Sequence, residues 1–215
     1  MIDFSILSAI EQLKIFAIVR TDSAETALKS AEAAVVGGIK LIEISMSTPG
    51  AVRVISDLRR KYGDEIYAGA GAVISIDMAD RAIKGGAQFI SSPHTNAGII
   101  EFSVSKKIFA IAGAATPTEI MSAWDFGVPL IKVFPVSAFG GPTYIRSLKD
   151  SMPEVRMMPV SGITISNIRE FFRAGAFAVG VGGSLFKSGF VANDNYASIA
   201  EQARALIKTI NDSSV

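Results

Sequence analysis

Two ionisable residues sit in the middle of short apolar runs, where a charge is expensive. Lys132 lies within Leu130-Ile-Lys-Val-Phe-Pro135, and Glu43 within Leu41-Ile-Glu-Ile-Ser45. Burial disfavours the ammonium form of lysine. A neutral lysine is a nucleophile that forms an imine with a ketone. A carboxylate in a similar place serves as general acid and base when burial tunes it. An amine and a proton shuttle are what imine chemistry needs. The same residues also read as a structural ion pair, or Lys132 as a side chain that snorkels to the surface. Position alone does not choose between these readings.

Glycine-rich turns form the second feature. Val160-Ser161-Gly162 leads into Thr164-Ile-Ser-Asn167, and Gly180-Val-Gly182-Gly183-Ser184 ends the last apolar run. Backbone N–H groups at such turns cradle phosphate. The plainer reading is that the glycines only allow tight turns. The hydroxyls of Ser161 and Ser184 favour phosphate. Arg20 ends the first apolar run and suits bidentate capture of a carboxylate, or else an ion pair. His94 follows Ser91-Ser92-Pro93 and reads as a loop or interface histidine.

Composition closes off other chemistries. The chain has 215 residues, no cysteine and a single histidine. Disulfides, thiolate catalysis and multi-histidine metal centres are thereby excluded. The net charge is +1 with acids and bases interspersed, so no basic nucleic-acid surface is expected. No apolar run reaches the roughly 18 residues of a membrane span. The N-terminal stretch does not read as a signal peptide, and the expected location is the cytoplasm.

The elements that must position these residues alternate strictly. Strand-length apolar runs occur at Phe16–Arg20, Leu41–Ser45, Tyr67–Val73, Phe89–Pro93, Phe109–Gly113, Leu130–Pro135, Met157–Gly162 and Ala178–Gly183. Runs apolar on both faces indicate a parallel sheet covered on both sides. Between them lie amphipathic helical patterns, with starts at Ser23, Thr48-Pro49, Asp77, Thr116-Pro117 and Thr164-Ile-Ser166. Gly38, Gly86, Gly127 and Gly175 precede the next strand as left-handed caps. Eight such units predict an α/β fold, a single-domain (β/α)8 TIM barrel over residues 1–215. Met1–Lys14 is expected to add a helix that closes the barrel bottom. A doubly wound open sheet competes, but no GxGxxG follows the first strand. In a barrel the active site lies at the C-terminal strand ends. That rim comprises Arg20, Glu43, Ser47, Ala72, Ser92, His94, Thr116, Lys132, Ser161, Gly182 and Ser184.

From Phe16 to Phe186 the chain resembles the 2-keto-3-deoxy-6-phosphogluconate/4-hydroxy-2-oxoglutarate (KDPG/KHG) aldolases. The matching blocks are Ala17–Arg20, Gly38–Ile44, Ala68–Gly71, Ser92-Pro93, Ile131–Pro135, Gly140–Pro142 and Gly180–Ser184. The lysine and glutamate blocks make the resemblance specific. It implies that Lys132 is the Schiff-base lysine and that Glu43 moves protons through water. It implies that Arg20 and Ser47 hold a pyruvyl carboxylate and that Pro93 lines the substrate site. By the same resemblance Phe134 is the aromatic beside the lysine, and Ser161, Gly162, Gly183 and Ser184 cradle phosphate. Three departures bear on the substrate. Ala72 stands where relatives commonly have threonine, and Val160-Ser161-Gly162 stands where they often read TGG. Phe134–Gly140 looks closer to the 6-phosphogalactonate branch.

The activity implied is class I retro-aldol cleavage of a 2-keto-4-hydroxy acid, such as 2-keto-3-deoxy-6-phosphogluconate, to pyruvate and an aldehyde. No metal or organic cofactor is implied, and the expected assembly is a homotrimer. A phosphate-sugar isomerase using Glu43 as base, or a non-catalytic binder of phosphorylated acids, are the alternatives on the same barrel.

Overall fold

A computed structural model of the chain describes residues 5–212. Its strands are β1 (Ile15–Val19), β2 (Leu41–Ser45), β3 (Tyr67–Gly71), β4 (Phe89–Ser91), β5 (Phe109–Ala114), β6 (Leu130–Val133), β7 (Met157–Pro159) and β8 (Val179–Val181). Their order is β7-β6-β5-β4-β3-β2-β1-β8, and every pairing is parallel. A bridge between Val160 and Gly180 joins the two ends, and Phe177 N–H donates to Met157 C=O at 2.9 Å. The sheet is a nearly closed barrel, not an open doubly wound sheet.

The helices are α1 (Ser5–Leu13), α2 (Ala24–Val36), α3 (Ala51–Tyr62), α4 (Ile76–Lys84), α5 (Ala97–Ser105), α6 (Pro117–Asp125), α7 (Pro142–Ser151), α8 (Ile168–Arg173), α9 (Ser188–Ala192) and α10 (Tyr196–Asn211). The N-terminal helix is present, although Met1–Phe4 lie outside the described residues. Ile6 and Ile10, one turn apart on α1, are buried against Phe16, Leu41 and Phe89 at the barrel floor.

Helix stops follow the expected glycines. Gly38, Gly86, Gly127 and Gly175 all have positive φ, between 77° and 99°. Each closes the helix before it: Gly38 N–H donates to Val35 C=O at 2.8 Å, and Ile39 N–H to Ala34 C=O at 3.0 Å. Lys107 makes the same turn at φ 61° without being glycine. Some starts differ from the sequence reading. Ser75, not Asp77, caps α4, because its hydroxyl accepts from Met78 N–H. Thr48-Pro49 forms a turn before α3, which begins at Ala51. Thr48 Oγ1 instead accepts from Thr21 N–H at 3.2 Å, tying two rim loops together. At α8 the start moves from Thr164 to Ile168, because Asn167 Oδ1 accepts from Thr164 N–H and holds a turn there. Thr116 does cap α6, in a reciprocal box with Glu119.

Candidate active site

Inside the barrel, side chains recur every second residue. Phe16, Leu41, Phe89, Phe109, Leu130 and Met158 form the lower interior cluster. Two residues further along β2 and β6, the same inward face carries Glu43 and Lys132. Strand period alone therefore turns these two residues toward each other across the barrel.

They meet. Lys132 Nζ lies 2.7 Å from Glu43 Oε1, and the residues are 5% and 1% exposed. Two isolated charges at this depth would each cost several kcal/mol, so the pair is what makes their burial tolerable. Glu43 Oε2 has no hydrogen-bond partner among the described residues. The pair has room because β3 carries glycine here. A Cβ on Gly71 would lie 2.0 Å from Glu43 Oε1, and one on Gly113 would lie 2.2 Å from the Pro93 carbonyl carbon. Gly113 is the residue on β5 in register with Lys132.

A cavity of about 650 Å³ opens at the rim, reached from β6 by Phe134; Lys132 and Glu43 themselves are not among its lining residues. Arg20, Phe134, Ser161, Gly162, Gly183 and Ser184 all line it. Arg20 is exposed and has no carboxylate partner among the described residues, which leaves its guanidinium for an anion. Ser184 Oγ is buried and likewise without a partner among them. Gly183 needs to be glycine neither for φ nor for packing, since a Cβ there would meet nothing. Glycine at such a place admits a ligand close to the backbone. Across the cavity, Ser161 and Gly162 adopt φ 93° and 73°. Their turn is braced by a 2.8 Å contact between the Ser161 and Ser137 hydroxyls and by Asn167 Nδ2 donating to Gly162 C=O.

Ser47 and Pro93 stand at the rim but do not line this cavity. Ser47 is exposed, with its Oγ 2.8 Å from the buried Ser45 Oγ. Pro93 is half-buried, with its backbone against Gly113. His94 is exposed, and its Nδ1 lies 3.1 Å from Ser92 Oγ. Ala72, the position lacking a threonine hydroxyl, has φ 53° and is also outside the cavity lining. Ser91 was absent from the sequence-based candidates, yet its Oγ lies 3.2 Å from Lys132 Nζ. Period-two spacing from Phe89 was the signal that could have found it. Among the described residues no group of three or more His, Cys, Asp or Glu side chains is placed to hold a metal.

A family model for KDPG and KHG aldolases matches residues 6–202. A 2-dehydro-3-deoxy-6-phosphogalactonate aldolase of Escherichia coli is 30% identical over 202 residues, 94% of this chain and 96% of that protein. A 2-dehydro-3-deoxy-phosphogluconate aldolase of Treponema pallidum is 31% identical over 167 residues, 78% of this chain and 79% of that one. Among solved structures, KDPG aldolase from Legionella pneumophila, with pyruvate captured as a covalent carbinolamine, superposes with a TM-score of 0.83. It is 27% identical, covering 90% of this chain and 93% of that chain.

Proposed function

The chain belongs to the KDPG and KHG aldolase family, and from that premise we propose that it cleaves a phosphorylated 2-keto-4-hydroxy acid through an imine on Lys132. The protein is an enzyme of the aldolase class. The reading of its residues rests on one observation: Lys132 and Glu43 form a buried 2.7 Å pair inside a barrel whose rim cavity carries an unpaired arginine.

In the proposed reaction Lys132 cedes a proton to Glu43 and its neutral amine adds to the C2 ketone; the C2 oxygen takes one proton from the amine and one back from Glu43 and leaves as water. The resulting iminium withdraws the electrons of the C3–C4 bond. Glu43, directly or through water, takes the C4 hydroxyl proton as that bond breaks and the aldehyde departs. The enamine takes a proton at C3, and hydrolysis returns pyruvate and free lysine. Glu43 Oε2, buried without a partner among the described residues, is the oxygen at liberty to accept that proton. Arg20 and Ser47 hold the substrate carboxylate, Pro93 and Phe134 flank the pyruvyl end, and Ser161, Gly162, Gly183 and Ser184 receive the phosphate.

The proposed substrate is 2-keto-3-deoxy-6-phosphogluconate, giving pyruvate and glyceraldehyde 3-phosphate. The full-length similarity to a 6-phosphogalactonate enzyme favours a second candidate, its galactonate isomer. The assembly proposed is a homotrimer of single-domain chains in the cytoplasm. Exposed Ile74, Ile76 and Phe139 supply apolar surface for self-association. Among the described residues no helix is long and apolar enough to cross a membrane.

Borohydride reduction in the presence of pyruvate tests the reading. The expected product is a reduced pyruvyl adduct on Lys132, located by peptide mass. An unmodified Lys132 sinks the imine. Rates on the two phosphorylated acids and on 4-hydroxy-2-oxoglutarate, side by side, then rank the substrates, with the unphosphorylated acid expected slowest.

A further inference from the structure

Ser91 is fully buried, and its hydroxyl reaches one side-chain partner among the described residues, Lys132 Nζ at 3.2 Å. Its inward-facing surroundings are Phe89 below it on β4 and Ile111 in register on β5. A serine hydroxyl left unpaired in such a place costs roughly 1–3 kcal/mol. An apolar residue would fill the position with no such demand. Resting on the reading of Lys132 as the imine-forming residue, we propose that Ser91 is a positioning residue that aims the lysine nitrogen at the substrate.

The geometry of nitrogen carries the inference. Beyond Cε, a neutral lysine amine has three directions: two N–H bonds and one lone pair. Glu43 Oε1 at 2.7 Å and Ser91 Oγ at 3.2 Å each accept one N–H. Only the third direction remains, and in the neutral amine it is the lone pair. With Glu43 alone, rotation about the Cε–Nζ bond would spread the lone pair over the other two directions. Ser91 thus turns a held nitrogen into an aimed one, the kind of orientation that speeds attack on a carbonyl.

The two acceptors come from different strands, β2 and β4. Glu43 reaches it from β2 past Gly71, where a Cβ would meet Glu43 Oε1, and Ser91 reaches it from β4. Ser91 is fully buried and, among the side chains of the described residues, bonds only the amine. Its loss is therefore expected to slow imine formation and leave substrate affinity alone.

The test compares S91T with S91V, which share a shape and differ in the hydroxyl, and adds S91A in case the larger pair packs poorly. Borohydride trapping with pyruvate reads imine formation, and steady-state kinetics on the preferred phosphorylated acid reads turnover. Trapping and kcat are expected to fall about tenfold in S91V and S91A, the size of one hydrogen bond to an ionisable group, with KM unchanged. S91T is expected to recover most of the loss. Equal trapping rates in S91T and S91V, or a wild-type rate in S91A, overturn the proposal. So does a rise in KM with trapping unchanged. Absence of any adduct on the wild-type protein overturns the Lys132 reading as well, so the two failures are told apart.

Discussion

The lower and upper halves of the barrel interior are built from the same strands and differ by two residues along each. Below, Phe16, Leu41, Phe89, Phe109 and Leu130 interlock with Ile6 and Ile10 of α1. Above, the same faces carry Glu43, Ser91 and Lys132 beside Ile18 and Ile111, and Gly71 and Gly113 follow two residues further along β3 and β5. The floor maximises buried apolar area and places Phe16 edge-on to Phe89, with ring centroids 5.5 Å apart. The upper layer gives up that packing for a charged pair and bare backbone. Stability and chemistry are thus separated by one pleat, and substitutions should reveal which layer they touch.

The largest effect is expected where the upper layer is made to imitate the floor. Lys132→Met removes the imine nitrogen and should lower kcat on the order of 10⁶, as loss of a covalent nucleophile does elsewhere. It also leaves Glu43 buried without its partner, at a cost of roughly 3–5 kcal/mol in stability. Adding Glu43→Leu should restore that loss and bring the double variant to wild-type stability or about 1–4 kcal/mol above it, while activity stays absent. Urea midpoints and kcat on all three proteins check this. Turnover in K132M within about 10² of wild type would exclude an essential imine. A double variant clearly less stable than wild type would mean that the pair contributes net stability.

A change in the floor should do the reverse. Phe109 is 1% exposed in the lower cluster. Phe109→Ala should cost about 3–5 kcal/mol in unfolding free energy. At a temperature where the variant remains folded, kcat should match wild type. A fall in kcat there would show that the layers are mechanically coupled, and the separation by one pleat would not hold.

The two layers were not equally legible in the sequence. The floor and the outer contacts follow from strand period, and so do Glu43 and Lys132, because a charge inside an apolar run is conspicuous. The glycine helix stops were equally plain, since only a positive φ rewards glycine at that spacing. Ser91 was hidden because a serine inside Phe89-Ile-Ser-Ser-Pro93 is unremarkable until the strand register is known. Gly71 and Gly113 were hidden for a related reason: their role is to leave space for atoms far away in sequence. Thr48-Pro49 misled because proline suits a first helical turn, whereas here the Thr48 hydroxyl holds a neighbouring loop. The cavity brought Arg20, Phe134 and the two glycine turns together, while Ser47, Pro93, Glu43 and Lys132 are not among its lining residues.

The smallest expected effects distinguish two non-glycine residues with positive φ. Lys107 ends a helix on the surface at φ 61°, and Ser161 shapes the cavity turn at φ 93°. An L-residue in the left-handed region costs roughly 1–2 kcal/mol, and glycine returns part of that gain through unfolded-state entropy, about 0.4–1 kcal/mol. Lys107→Gly should therefore stabilise the protein by up to about 1 kcal/mol and leave kinetics unchanged. Ser161→Gly relieves the same strain but removes the 2.8 Å contact with Ser137, worth about 0.5–1.5 kcal/mol, so its net effect on stability should be near zero. It also removes a hydroxyl from the proposed phosphate site, and KM for the phosphorylated acid should rise about tenfold, with the unphosphorylated acid unaffected. Thermal unfolding and the two KM values check both variants. If S161G stabilised as much as K107G and KM held, the Ser161 hydroxyl would be shown to brace nothing and bind nothing. Its strained backbone would then need a different explanation.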